Sequence, residues 1–318
     1  MQKFSLEAKV AMEQAGSRLD QVAAALFPDY SRARLQQCIK EGQLLVDGDT
    51  AQNKQKLYGG ELISLTLANA HQEQWQAEEL PIEIVYEDES LLIINKAAGF
   101  VVHPAAGNYT GTLLNALLYH YPELGKLPRA GIVHRLDKET SGLMVVARNL
   151  VAHQALVGMI QAREVSREYQ AVVNGLVTAG GTVDAALGRH PVLRTKRAVV
   201  SGSAGKNAVT HYRILNKFRA HSHLQVKLET GRTHQIRVHM AHIGFPLVGD
   251  PMYGGRLKLP KAASPELIAC LKGFKRQALH AWRLGFQHPE TGESMEWEAE
   301  IPADMQELIR ILAEDYAY

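Results

Sequence analysis

The chain has 318 residues, of which 46% are hydrophobic, enough for a packed core in one large domain or in a large and a small one. No apolar stretch approaches the roughly 20 residues that cross a bilayer, and the first 16 residues carry four charged side chains, so we expect neither a membrane span nor export. Cys38 and Cys270 are too few for a disulfide framework or a zinc ribbon, and we expect a cytoplasmic protein.

The formal net charge of +2 conceals one strongly basic segment. Between Arg189 and Arg237 the chain has eleven Lys or Arg residues against Glu229 alone, so this segment is +10 and the remainder is −8. Lys and Arg that neutralise phosphates gain free energy from counterion release. The segment therefore favours a polyanionic partner, although a solvated basic face has the same composition.

Two short helices are predicted near the N-terminus. The first opens at Arg18, presents apolar residues on one face and ends before Pro28. The second begins at Ser31, a good N-cap residue, and ends before Gly42, which favours a helix stop.

Short strands are predicted next, at residues 44–46 and 62–66. Two helices with a small sheet resemble the S4-type RNA-binding domain, and we assign it to residues 16–75. The resemblance implies that basic side chains of the second helix contact RNA, namely Arg32, Arg34 and Lys40.

An acidic stretch follows, and we interpret residues 76–90 as a linker and the start of a catalytic domain over residues 80–318. Strands mix with a few helices there without strict alternation, which favours an α+β fold with a mixed, largely antiparallel sheet. The predicted strands lie at 82–88, 91–96, 143–147, 168–173, 209–215 and 223–228, and the predicted helices at 115–119, 151–161 and 303–313.

The run from His134 to Gly142 is unusual because it places Asp137 between cations, directly before a predicted buried strand. A carboxylate held against a rigid strand can act as a nucleophile or as a base. Without further evidence, an ordinary surface ion pair explains the same residues.

Three further runs are dense in polar groups where strands end, at residues 167–169, 228–239 and 249–254. Together with the run around Asp137 they resemble the RluA family of pseudouridine synthases over essentially the whole chain. With an S4-type domain before these motifs, the chain most resembles the branch of that family that acts on large-subunit ribosomal RNA.

The resemblance implies that uridine is isomerised to pseudouridine without a cofactor or a metal ion, with Asp137 as the essential carboxylate. The sequence leaves open whether Asp137 attacks C1′, attacks C6 or removes the C2′ proton. The target uridine has to leave its stack first, which costs a few kcal/mol.

Supporting roles also follow from the resemblance. Arg232 corresponds to the arginine that pairs with the catalytic carboxylate, Tyr169 to the aromatic residue that stacks on the target base, and Arg135 to the arginine that fills the space left by the flipped base. The remaining basic candidates are expected to contact RNA: Lys96, Arg189, Arg197 and Arg237.

One residue departs from the family pattern, because the family usually has proline where this chain has Ala97. Losing proline frees a backbone dihedral, so we expect a more pliable loop before His103. The expected partner is large-subunit ribosomal RNA, in the stem-loop called helix 69, or a pre-ribosomal particle. We expect the protein to be a monomer without a membrane partner.

Other functions are compatible with parts of the sequence. His234, His239, His242 and Asp250 lie close enough to suggest a metal hydrolase, although His239 and His242 share a face only if this segment is helical. A non-catalytic RNA-binding or ribosome-assembly protein would also need the N-terminal domain and the basic segment. A family member that acts on another ribosomal or transfer RNA site would share the motif around Asp137.

Overall fold

The computed structural model describes residues 3–27, 30, 32–68, 75–104, 108–193, 195–202 and 205–317. The chain divides into two compact units, Met1–Gln74 and Trp75–Tyr318. None of the helices in the described part of the chain is long and apolar enough to cross a membrane.

The described residues of the smaller unit form a four-stranded antiparallel sheet in the order β1-β4-β2-β3, together with two α-helices. Strand β1 precedes the predicted start of this domain at residue 16. Both predicted helices are found, while Pro28 and Ser31 lie outside the described residues. The elements are β1 (Lys3–Lys9), α1 (Leu19–Leu26), α2 (Arg32–Lys40), β2 (Leu44–Val46), β3 (Asp49–Thr50) and β4 (Leu62–Ala68).

A buried carboxylate joins the two helices of the smaller unit. Asp20 on α1 accepts hydrogen bonds from Arg18, from Arg32 and from Gln36 on α2. Burial opposes its charge, but the hydrogen bonds from Arg32, Gln36 and Arg18 outweigh burial and lower the pKa of Asp20. Arg32 therefore has a structural partner as well as an exposed side chain.

The larger unit is built on one mixed sheet in the order β5-β6-β7-β14-β8-β13-β12-β9, with β15 paired to β14. Only the β7–β14 pair is parallel among the described strands, so the α+β prediction with a largely antiparallel sheet is confirmed. The strands are β5 (Glu83–Glu87), β6 (Leu91–Lys96), β7 (Ser141–Ala147), β8 (Ser166–Asn174), β9 (Gly181–Asp184), β10 (Leu187–Arg189), β11 (Arg197–Val199), β12 (Val209–Lys217), β13 (His221–Leu228), β14 (Leu279–Gln287) and β15 (Ser294–Glu298).

In the described part of this unit five α-helices accompany the sheet, and β10 and β11 form a separate two-stranded hairpin. The segment whose conformation the sequence left open is helical and forms α5. The helices are α3 (Leu113–His120), α4 (Leu150–Ala162), α5 (Gln235–His242), α6 (Pro265–Gly273) and α7 (Ala303–Ala317).

Residues 76–78, predicted to be part of a linker, bind to α3 of the larger unit. The side-chain amide of Asn115 donates to Gln76 O at 2.7 Å, and Glu78 N donates to Asn115 O at 3.0 Å. The Glu78 carboxylate also accepts the N–H of Gly111. These residues therefore belong to the larger unit and are not a free connection.

Strand β7 lies in the interior of the sheet, and all of its residues are buried. Gly142 near its start has φ +117°, and a Cβ atom there would lie 2.2 Å from Ala281 O of β14. Only glycine permits this close approach of two strands. The loop before β7, which carries Asp137, is consequently fixed against the centre of the sheet.

Candidate active site

The loop that carries Asp137 is a tight turn held by bonds to its carbonyl oxygens. Thr140 N donates to Asp137 O at 3.0 Å, and the next carbonyl, Lys138 O, accepts from Gly99 N at 2.9 Å and from the Lys96 ammonium at 3.0 Å. On the other side, Gln277 donates to the Thr140 hydroxyl at 3.0 Å. The backbone at Asp137 is therefore held from two directions.

Lys96 is buried, with 2% of its surface exposed, and its ammonium donates to three carbonyl oxygens, those of Ala97, Phe100 and Lys138. Burial lowers the pKa of Lys96 to about 7, although Glu139 and Asp137 favour the charged form. The prediction that Lys96 contacts RNA is therefore wrong, because its donors are already bound inside the protein.

Helix α5 brings two polar side chains to Asp137. His234 precedes the helix and Arg237 lies three residues later, a spacing that places both side chains on one face of a helix. His234 has a left-handed backbone with φ +59°. Gln235 fixes this end of the helix, since its amide donates to Val209 O and Thr210 Oγ1 of β12.

Arg237 bridges two carboxylates. Its Nη1 donates to Asp137 Oδ2 at 2.9 Å, while Nε and Nη2 donate to the two oxygens of Asp250 at 2.7 and 2.9 Å. Burial would lower the pKa of Arg237, but its bonds to Asp250 and Asp137 outweigh burial and raise it. The flat guanidinium is thus fixed by Asp250 and presents its remaining edge to Asp137.

Asp250 has a side chain with no exposed surface and receives two further donors, Met252 N and Tyr253 N. Burial raises the pKa of a carboxyl group, yet Arg237 and these amides outweigh burial and lower the pKa of Asp250. The Asp250 carboxylate, whose charged form is favoured in this way, holds the guanidinium in place through two hydrogen bonds.

His234 connects Asp137 to a second layer of residues. Its Nδ1 lies 2.8 Å from the Tyr253 hydroxyl, and its Nε2 lies 3.9 Å from Asp137 Oδ1. The same hydroxyl accepts the N–H of Arg197 at 2.9 Å, so the β10–β11 hairpin adjoins the site. Burial lowers the pKa of His234, and Arg237 and Arg135 act in the same direction, while Asp137 and Asp250 oppose them.

Tyr169 on β8 is 6% exposed and belongs to the main hydrophobic core. Burial raises the pKa of its hydroxyl, and the negative charge of Asp137 raises it further, while Arg167 opposes them. Asp137 is therefore close enough to Tyr169 to influence it.

The ion pair predicted for Arg232 is made instead by Arg237, so that prediction is wrong. Arg232 is exposed and its Nε donates to Asn207 O at 3.2 Å. The reason is the helix: Arg232 lies before α5 begins, whereas Arg237 lies within its first turn and faces Asp137. Arg237, predicted to contact RNA, is only 6% exposed and is occupied by two carboxylates.

The remaining basic candidates lie in different parts of the structure. Arg135 is exposed beside Asp137, and its charge reaches His103, whose pKa falls to about 4 mainly because of burial and also because of Arg129 and Arg135. Arg189 and Arg197 face each other across the β10–β11 hairpin, Arg189 exposed and Arg197 half-buried. In the smaller unit Arg32 and Lys40 are exposed, and the side chain of Arg34 lies outside the described residues.

Two of the three histidines suggested as metal ligands, His234 and His239, have other partners. His239 Nε2 lies 2.9 Å from Ala185 O and its Nδ1 lies 2.9 Å from Thr210 Oγ1, while Asp250 holds Arg237. Within the described ranges, no group of three or more potential ligands is arranged to hold a metal ion.

The signals that the sequence offered for this arrangement were the spacing of His234 and Arg237 and the polar run that contains Asp250. Both became informative only once residues 235–242 were known to be helical. Tyr253 and Asp250 belong to the same run, and both contact Arg237, with its guanidinium carbon 5.1 Å from the Tyr253 ring centre.

Comparison with known proteins identifies the family. Residues 90–242 match the family model described as RNA pseudouridylate synthase. "Ribosomal large subunit pseudouridine synthase D" of Pseudomonas aeruginosa is 56% identical over 97% of this chain and 96% of its own length. The protein of that name from Escherichia coli (strain K12) is 52% identical over 99% of this chain and 96% of its own length.

Solved structures have the same fold. "Human RNA Pseudouridylate Synthase Domain Containing 4" matches with a TM-score of 0.58 and 23% identity, covering 72% of this chain and 92% of its own. "Human RNA Pseudouridylate Synthase Domain Containing 1" matches with a TM-score of 0.53 and 25% identity, over 70% of this chain and 85% of its own. The chain therefore belongs to the RluA family of RNA pseudouridine synthases and is an isomerase.

Proposed function

We propose that this protein converts uridines of 23S ribosomal RNA, in the stem-loop called helix 69, into pseudouridine, with Asp137 as the catalytic carboxylate. The names of the relatives from Pseudomonas aeruginosa and Escherichia coli support the large ribosomal subunit as the substrate. The single observation that carries the role of Asp137 is its 2.9 Å bond from Arg237, itself fixed by the buried Asp250.

This arrangement suits a reaction at the ribose or the base. The Asp137 side chain is 17% exposed, so a flipped nucleotide can reach it, while the turn at residues 137–140 prevents it from moving away. Arg237 donates a hydrogen bond to Asp137 Oδ2, and Asp137 Oδ1 lies on the side of His234. A carboxylate held in this way loses little entropy when the nucleotide arrives.

The surroundings of Asp137 supply the other requirements. The segment from Arg189 to Arg237, with its charge of +10, includes the β10–β11 hairpin and the start of α5, both in contact with the site through Arg197 and Arg237. Arg135 is exposed next to Asp137 and fills the space that the flipped base leaves in the RNA stack. Tyr169 provides the aromatic ring on which the flipped base stacks.

Mapping pseudouridines in ribosomal RNA tests the choice of target. Cells that lack the gene are expected to lose pseudouridine in helix 69 and to regain it with the wild-type gene but not with Asp137→Asn. Loss confined to another ribosomal or transfer RNA site would contradict helix 69 and identify the true target. Comparing free 23S RNA with pre-ribosomal particles as substrates in vitro then shows which of the two is modified faster.

A further inference from the structure

We propose that His234 is a catalytic residue that accepts the C5 proton of the target base after the base has rejoined the ribose. The proposal rests on Asp137 being the catalytic carboxylate and adds a second group to it. It follows from the position of the imidazole between Tyr253 and Asp137.

The geometry leaves one ring nitrogen of His234 directed to the reaction centre. Nδ1 is held 2.8 Å from the Tyr253 hydroxyl, whose oxygen also accepts the N–H of Arg197. A hydroxyl oxygen has two acceptor sites, so it can take both Nδ1–H and the Arg197 N–H. The proposal requires the tautomer in which Nδ1–H donates to this oxygen and Nε2 is unprotonated. Nε2 lies 3.9 Å from Asp137 Oδ1, and 17% of the His234 side chain is exposed.

The backbone conformation of His234 also indicates that its side chain is placed for a function. His234 has φ +59°, an uncommon conformation for a residue other than glycine, and it lies at the start of α5. Strained residues of this kind concentrate at functional sites. Here the strained backbone places the ring within 3.9 Å of the reacting carboxylate.

The reaction requires such an acceptor. Once the bond from C1′ to C5 has formed, C5 carries both the ribose carbon and its original hydrogen, and N1 is joined to C6 by a double bond. When His234 Nε2 takes the hydrogen as a proton, the electrons of the C5–H bond form the C5–C6 double bond. The electrons of the N1–C6 double bond move to N1, which takes up a proton, so no oxidant or reductant is needed.

After the base has rejoined the ribose, C5 is bonded to both C1′ and C6. If Asp137 Oδ1 contacts either of these carbons, C5 is the neighbouring atom, and His234 Nε2 lies 3.9 Å from the same oxygen. The imidazolium formed by proton transfer would have Asp137 and Asp250 nearby to stabilise it, against Arg237 and Arg135. Burial lowers the pKa of His234, which favours the neutral form of the ring.

Tyr169 and Asp137 are less suited to this step. Burial and the charge of Asp137 raise the pKa of the Tyr169 hydroxyl, so the phenol keeps its own proton. Asp137 is already committed to the ribose or base and to Arg237. Among these three groups, His234 alone is both unoccupied by the earlier step and, with Nε2 unprotonated, able to accept a proton.

The test compares His234→Gln with wild type in single-turnover reactions on 23S RNA that contains uridine with hydrogen or deuterium at C5. We expect the variant to react about 100-fold more slowly or worse, the usual loss for a general base. If removal of the C5 proton has become the slow step, deuterium slows the variant further. His242→Gln, which changes an exposed histidine on the same helix, is the matched control and is expected to behave as wild type.

A slowed His234→Gln variant without a deuterium effect would mean that the ring only supports the structure, and a variant as fast as wild type would also overturn the proposal. If His234→Gln does not fold, Tyr253→Phe keeps the imidazole and removes its Nδ1 partner, and it must show slower turnover with a deuterium effect. A wild-type enzyme inactive on 23S RNA would instead contradict the proposed target, and the comparison would move to the RNA that is modified.

Discussion

Arg237 Nη1 lies 2.9 Å from Asp137 Oδ2, although the two residues are 100 positions apart in the chain. The contact depends on the turn before β7 on one side and on α5 on the other. Asp250 stabilises this contact, because its two oxygens accept hydrogen bonds from Nε and Nη2 of the same guanidinium. Several consequences of this arrangement can be measured.

Arg237→Lys is expected to lower kcat by roughly 100-fold, the order of magnitude for losing one preorganised donor at an active site. An ammonium group lacks the flat fork that binds Asp137 and Asp250 together. The measurement is release of tritium from C5-labelled uridine at saturating RNA. Arg232→Lys is the matched control and should stay within a few-fold of wild type, since Arg232 is exposed and away from Asp137. Equal losses in both variants would contradict the assignment of Arg237.

Lys96→Met is expected to lower kcat while leaving RNA affinity and its salt dependence unchanged. The Lys96 ammonium donates to three backbone carbonyls, including that of Lys138 next to Asp137, so its loss loosens the turn that carries Asp137. RNA binding at several salt concentrations gives the readout. A phosphate contact would instead reduce the salt slope by about one unit when it is removed. A smaller slope in Lys96→Met would restore Lys96 as an RNA-binding residue.

Lys96 is also expected to make the free energy of unfolding depend on pH between about 7 and 10.5. Its folded pKa is about 7, against 10.5 as the ordinary value, so between these pH values the unfolded chain binds more protons than the folded one. The free energy of unfolding therefore gains from Lys96 as pH rises through this window, by at most about 1.4 kcal/mol per pH unit. Urea unfolding of wild type and Lys96→Met at pH 7, 8 and 9 should show this gain only in wild type. Parallel pH profiles would contradict the lowered pKa of Lys96.

Arg189→Ala is expected to weaken RNA binding and to reduce its salt slope by about one unit, with kcat at saturating RNA unchanged. Arg189 is exposed on the hairpin that reaches the site through Arg197. Arg310→Ala provides the control, since Arg310 is paired with Glu307 and Glu314 on α7. If both variants bind RNA as tightly as wild type, the hairpin does not contact RNA through Arg189.

Part of the larger unit could be predicted from the sequence, because β6, β7, β8 and β13 contain short apolar runs bounded by turn residues. Strand β14 was not predicted, although it lies at the centre of the sheet. It combines His280, Trp282 and Arg283 with apolar residues, so its pattern is ambiguous. Its position depends on pairing with β7 and β8, which are distant in the chain.

The sequence predicted Asp137 as the central residue of the site but did not predict the side chains that contact it. Asp137 is identified by a local motif, whereas the partner of Asp137 depends on whether residues 235–242 form a helix or a strand. In a strand, His234 and Arg237 would point to opposite faces, and in the helix they share one. Lys96 was assigned to RNA because its burial by the loop at residues 97–100 and by Lys138 O cannot be read from nearby residues.

The most direct test of the central claim is release of tritium from C5-labelled uridine in 23S RNA by Asp137→Asn under single-turnover conditions. Asparagine keeps the size of the side chain and can still accept a bond from Arg237, so we expect RNA binding to persist while tritium release falls to background. Release at the wild-type rate by this variant would show that Asp137 is not the catalytic carboxylate.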